Sequence, residues 1–321
     1  MVNKEELIKQ PQNPNVGKMK IFIKVFRSAV SNFVDDNGPK LSAALSYYTI
    51  FALAPMILII MSLAGMFLGV DAVQGKIYGQ INGLVGNATA LEIQSIIKNI
   101  QGTHHTNAGA IIGVVILVIA ATGVFTEIQD SINFIWSVKA KPKKGWLKMI
   151  LNRLLSFSLI ISFGFILLVS LLLNALVDLL SERLKLFFAE ITVYLFYVVN
   201  IFILFCIIAC LFAIIFKVLP DARIKWKDAF IGSFLTAILF IVGKFLIGFY
   251  LGNSSVGATY GPAASIVILL LWVYYSSIIL YFGAEFTQVY ARHYGGGVIP
   301  NETAVFIIKK ESKEIELKEL H

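Results

Sequence analysis

"IFILFCIIACLFAIIF", Ile201–Phe216, holds no charge, no glycine and no proline. A helix this apolar on every face has no side to turn toward water, so it belongs in a deep core or a bilayer. The apolar run around it extends from about Ile191 to Leu219. At 1.5 Å per residue, roughly 20 such residues cross the ~30 Å of hydrocarbon in a membrane. Five further runs of that length lie outward from it: about Leu41–Leu68 (with Pro55 as its kink), Gly109–Trp136, Leu154–Val177, Ala229–Leu251 and Ala263–Gln288. Across 321 residues, 58% are hydrophobic and 14% charged, and the mean hydropathy is +0.80. Soluble domains carry about 25% charged residues. The expected fold is therefore all-α, a polytopic membrane protein with six transmembrane helices. Its expected organisation is an N-terminal segment 1–40, a membrane domain 41–288 and a charged tail 289–321.

The cysteines, Cys206 and Cys210, share one helical face within the opening stretch. No His or carboxylate lies near them in sequence, so they read as small apolar residues rather than a metal or redox pair. His104 and His105 lack a third ligand nearby, and no cofactor or metal is expected. The first 40 residues contain no apolar run of signal-peptide length, which makes the first span an expected uncleaved anchor.

Charge sets the expected orientation. Six spans sort the polar segments into two sets. One set comprises the segment to Lys40, Lys139–Arg153, Lys217–Lys227 and the tail from Arg292; it holds 22 of the 27 Lys and Arg residues. The other holds Lys76, Lys98, Arg183 and Lys185. The positive-inside rule puts the first set, and both termini, in the cytoplasm. The net charge of +8 follows from this topology, and no nucleic acid is expected as a partner. Within the N-terminal segment, Met19, Phe22, Phe26, Val30 and Phe33 recur at helical spacing with lysines on other faces. That pattern predicts an amphipathic helix on the inner membrane surface, the alternative being a helix packed on the cytoplasmic loops.

Elsewhere, "TALE" at Thr89–Glu92 matches a capping box that opens a short outer helix. Gly65–Gly69 and Gly109–Gly113 are small-xxx-small pairs suited to close helix approach. The last 20 residues, rich in Lys and Glu, suit an exposed helix or a loose tail.

Chemistry enters with "ATGVFTEIQDSINFIW", Ala121–Trp136. At 100° per residue, Thr122, Thr126, Asp130 and Asn133 form one stripe, with Glu127 beside it. Ser46 and Thr49 share a face of span one. Tyr281, Glu285 and Gln288 share a face of span six. A charge at the bilayer centre costs at least ~2.5–3.5 kcal/mol, so such stripes should face one another or water rather than lipid. The expected arrangement is an acidic vestibule built from spans one, two and six. Lys244, ~24 Å along span five from Asp228, belongs to the outer half. The competing reading is structural: carboxylates that lock helices together, and a Lys244 that snorkels to head groups.

Four segments, in this order, carry a resemblance: "NGPKLSAALSYYTIFALAPMILII", "FTEIQDSINFIWSV", "LPDARIKWKDAFIGS" and "GATYGPAASIVILLLWVYYSSIILYFGAEFTQVYA". Over about Asn37–Ala291 the chain resembles the YihY/virulence factor BrkB family of bacterial inner-membrane proteins. The resemblance implies six spans in the cytoplasmic membrane, with motif positions at Tyr47, Pro55, Asn133, Trp136, Trp272 and Glu285, among others. An older family label, ribonuclease BN, implies tRNA processing. With four histidines in the chain and no His/Asp cluster of hydrolase type, no enzyme activity is expected. The expected function is passage of a lipid, lipid-linked or small solute along a path that includes Glu127, Asp130, Asn133, Tyr281, Glu285, Lys244, Ser46 and Thr49. The alternative is a non-transporting scaffold for envelope biogenesis. Membrane lipids are the expected partners, with envelope-assembly proteins as candidates; the oligomeric state is open.

The charge split generates a direct test. In a variant with Cys206 and Cys210 replaced by Ser, cysteines at positions 87 and 253 should react with an impermeant thiol reagent from outside intact cells. Cysteines at positions 143 and 225 should not, and outside labelling of position 143 would overturn the orientation.

Overall fold

The computed structural model describes residues 18–52, 90, 91, 93–95, 122–141, 189–253, 259, 260 and 263–309. Its helices are α1 (Lys18–Asp35), α2 (38–52), α3 (122–135), α4 (Ala189–Val218), α5 (Trp226–Asn253) and α6 (Ala264–His293). The expected span three, the outer halves of spans one and two, the two glycine pairs, the histidine pair and residues 310–321 lie outside the described residues. So do Thr89 and Glu92, although 90, 91 and 93–95 are helical.

Within α4, α5 and α6, the stretches Ile201–Val218, Trp226–Leu251 and Ile266–His293 are each long and apolar enough to cross a membrane. They match three of the six expected spans. The last helix runs five residues beyond its expected end at Gln288. Val289 and Ala291 are buried and sustain it, and Tyr294 and Gly295 both donate backbone N–H bonds to Tyr290 O. Gly297, at φ +79, then turns the chain back, as a residue without Cβ does at low cost.

Sequence sets the joint between α1 and α2. Asn37 takes the left-handed conformation (φ 56), which Asn tolerates better than most residues. Its carbonyl accepts from Lys40 N and Leu41 N and so opens α2, with Pro39 in the first turn where no N–H is missed. The helix α1 forms as expected, with a rotated packing face. Val25, Ala29 and Phe33 are its buried residues, while Phe22 and Val30 are largely exposed. Val25 and Ala29 pack against Leu235 of α5 and Phe286 and Val289 of α6.

The α5–α6 contact is close because small residues meet reciprocally. A Cβ at Gly232 would collide with Thr287, and one at Gly283 with Thr236. Both threonines are fully buried and return their hydroxyls to their own helix, at Gly232 O and Gly283 O.

Four strands gather the chain at one end of these helices. Strands β1 (Val138–Ala140), β2 (Ala222–Arg223), β3 (Ile299–Pro300) and β4 (Ala304–Phe306) form two antiparallel pairs. Val138 faces Phe306 and Ala140 faces Ala304 in one pair; Ala222 faces Pro300 in the other. Residues 299–306 are thus neither a helix nor a loose tail. They stitch the segment after α3 to the segment between α4 and α5.

Replacing Gly283 by Val forces the α5–α6 pair apart. The expected loss is about 1–3 kcal/mol, seen as a lower melting temperature of the detergent-purified protein. Unchanged melting would contradict the close approach.

Candidate functional site

A helix ends with four carbonyls that its own turns leave unsatisfied. The end of α3 is buried, so those groups need partners. Trp136 N donates to Ile132 O, and Ser137 N to Phe134 O as Ser137 turns left-handed (φ 57). Ile135 O accepts from Gln288 Nε2 at 2.8 Å and from Lys309 Nζ at 3.1 Å. Trp136 O accepts from Arg292 Nη2 at 3.0 Å. The indole of Trp136, with no exposed surface, donates to Ala284 O on α6 at 3.0 Å. Two cations at a helix C-terminus also meet the negative end of its dipole. Lys309 further pairs with Asp36 and lies 4.8 Å above the ring of Phe134.

Glu285 sits inside this assembly with no exposed surface. Its Oε1 accepts from Asn32 Nδ2 of α1 at 3.0 Å, while Oε2 has no hydrogen-bond partner among the described residues. Asp36, Lys309 and Arg292 are the charged groups around it. Two acids thus face two bases. Buried charges need such pairing, because desolvating an unmatched ion is prohibitive.

One turn back along α6, a second group forms. Tyr281 is fully buried, and Ser131, Glu127 and Asp130 are the polar groups its hydroxyl faces. Although Ser131 is close, no hydrogen bond of good geometry is completed there among the described residues. Glu127 is half-buried and accepts from Ser131 Oγ at 3.2 Å; Asp130 is exposed.

The other expected site residues go elsewhere. Asn133 faces the segment after α4: its Nδ2 donates to Asp221 Oδ2 at 2.9 Å, and its Oδ1 accepts from Asp221 N at 2.8 Å. Gln129 adds a 3.3 Å bond to the same carboxylate. Ser46 and Thr49 return their hydroxyls to Ala43 O and Leu45 O of their own helix. Lys244, half-buried, lies 5.6 Å from the ring of Phe245 in the other half of α5. So Tyr281 joins Glu127 and Asp130, whereas Glu285 joins α1 and the tail. No group of three or more His, Cys, Asp or Glu suited to a metal occurs among the described residues.

Sequence reasoning missed Asn32, Asp36, Asp221, Arg292 and Lys309. Their partners are distant in the chain, and none lies on the stripes. The available signal was the set of motif positions Asn133, Trp136 and Glu285, which the fold collects at this one end.

The family model described as "Virulence factor BrkB" matches residues 29–304. Among similar proteins is a "UPF0761 membrane protein" of Pseudoalteromonas atlantica, 27% identical, covering 85% of this chain and 86% of its own length. One of Saccharophagus degradans is 29% identical, covering 87% of this chain and 64% of its own length. One of Pseudomonas paraeruginosa is 30% identical over 82% of this chain and 61% of its own length. The chain therefore spans a little under two thirds of the latter two. No solved structure matches.

The Asp36–Lys309 contact should show in a double-mutant cycle. Asp36→Asn and Lys309→Met should each destabilise the purified protein, with a coupling energy of about 0.5–3 kcal/mol. Strict additivity would mean that the two side chains do not meet.

Proposed function

The chain belongs to the Virulence factor BrkB family, and from that premise we propose that it is a multi-pass protein of the bacterial cytoplasmic membrane that passes a lipid, lipid-linked or small solute across it. The basic end, where the four strands pair, is then cytoplasmic, in keeping with the charge split. The observation that carries the reading is the group formed by Glu127, Asp130 and Tyr281. Two carboxylates sit on the polar stripe of α3, one half-buried and one exposed, against a buried tyrosine hydroxyl that completes no hydrogen bond among the described residues. A carboxylate facing lipid is costly, most of all toward the bilayer centre, and a water-filled vestibule removes that cost. Lys244, in the other half of the bundle, supplies a cation for an anionic substrate group on its way through.

The second reading is a non-transporting scaffold for envelope biogenesis. It is favoured by Asn133, whose amide is engaged at both ends by Asp221 and so has little to offer a substrate. On either reading the protein is not an enzyme, and cleavage of tRNA precursors that co-purifies with this chain and vanishes with point changes in it would contradict both.

Asp130→Asn keeps size and hydrogen bonding but removes the charge. On the transport reading it leaves the amount of protein in the membrane near normal and abolishes the phenotype that the intact gene complements. Helix-locking bonds in membranes average only about 0.6 kcal/mol, so a purely structural carboxylate should tolerate the amide. Full complementation by Glu127→Gln with Asp130→Asn would remove the vestibule and leave the scaffold.

A further inference from the structure

Three sectors, not two, run along α1. The first is packed: Val25 and Ala29 are buried against α5 and α6. The next sector round the helix holds Ile23, Val30 and Val34, spaced seven and four residues apart and 58%, 44% and 64% exposed. The third holds Lys20, Lys24 and Arg27, all exposed. A helix that only packs on a protein needs an apolar face and a polar one. An open apolar sector between a packed sector and a basic one fits a helix lying along a lipid surface.

The position of α1 agrees. Its rings meet α6 near the end that carries Glu285, with Phe22 and Phe286 centroids 5.9 Å apart and Phe26 and Phe282 centroids 5.3 Å apart. On α5 it reaches Ile231, about 8 Å along the helix from Trp226. Trp226 is half-exposed with the Lys217 ammonium 5.7 Å from its ring, a pairing of residue types typical of the head-group level. Helix α1 therefore crosses the span ends at that level, rather than beyond it.

We infer that α1 is a binding surface for anionic phospholipid, with Ile23, Val30 and Val34 in the acyl boundary and Lys20, Lys24 and Arg27 on the headgroup phosphates. The inference rests on membrane embedding alone and is independent of transport. A second copy of the chain is a poor occupant, because pairing two such faces would bring six cations together. Polybasic segments beside a bilayer gain from anionic headgroups, and apolar side chains of the same helix anchor them.

The test uses the full chain in nanodiscs containing phosphatidylglycerol and phosphatidylcholine, with Cys206 and Cys210 replaced by Ser. Nitroxides at positions 23, 30 and 34 should collide with oxygen in preference to a water-soluble nickel chelate, and those at 20, 24 and 27 should show the reverse. Photoactivatable phosphatidylglycerol should label α1, and K20Q/K24Q/R27Q should reduce that labelling several-fold while leaving labelling by photoactivatable phosphatidylcholine unchanged. Excess inorganic phosphate should not compete. Three outcomes would overturn the inference. The chelate could reach 23, 30 and 34 as readily as 20, which makes the face aqueous. Neither reagent could reach them, which makes the cover protein. Or the triple variant could keep its phosphatidylglycerol labelling, which removes the headgroup contact.

Discussion

The buried end of α3 is the constraint on which the described structure depends. A helix terminus taken out of water must find donors for its last carbonyls, or it costs several kcal/mol. Here the donors come from two places far along the chain: Gln288 and Arg292 on α6, and Lys309 on the segment that follows it. The Trp136 indole completes the attachment at Ala284 O. Helix α3 therefore ends where it does only if α6 and the tail are already beside it.

From that requirement the rest of this end follows. Lys309 reaches the helix terminus because β4 runs antiparallel to β1, the strand that immediately follows α3. The paired strands β2 and β3 hold the α4–α5 connection to the same tail, and Asn301 N donates to Asp221 O there. Asp221 in turn is held by Asn133 on α3, so the circuit closes. Asp36 and Asn32 bring in the end of α1. The described parts of the four basic segments thus meet as one structure. Among the described residues, helices that pack through apolar side chains are tied at this end by directional hydrogen bonds and by two acids set against two bases.

Much of the frame was legible. Runs without charge, such as Ile201–Phe216, announce their helices because no other element can hold them. The polar stripes were legible as stripes, since 100° per residue fixes which residues share a face. What a wheel does not give is the neighbour. Asn133 and Asp130 lie on one stripe, yet Asn133 turns to Asp221 while Asp130 lies near Tyr281, because the stripe is wide enough to meet two elements. The tail was illegible for a different reason. Strands of two or three residues leave no period in the sequence, and their partners lie far away: Val138 pairs with Phe306. The Gly232–Thr236 and Gly283–Thr287 pairs carry a small-xxx-small signal that was readable but overlooked beside the glycine pairs elsewhere.

The central claim is that the segment after α6 and the segment after α3 are paired in the assembled membrane domain. Ala140 and Ala304 face each other in that ladder. Backbone bonds flank them on either side, from Lys141 N to Thr303 O and from Ile307 N to Ser137 O, so the two side chains occupy the close, non-hydrogen-bonded positions. The most direct measurement is disulfide formation by cysteines placed at 140 and 304, in a chain with Cys206 and Cys210 replaced by Ser and kept in native membranes. The account predicts a rapid intramolecular crosslink under mild oxidation, with the protein still inserted. Both thiols remaining free, while a reagent from the same side of the membrane modifies each of them, would contradict it.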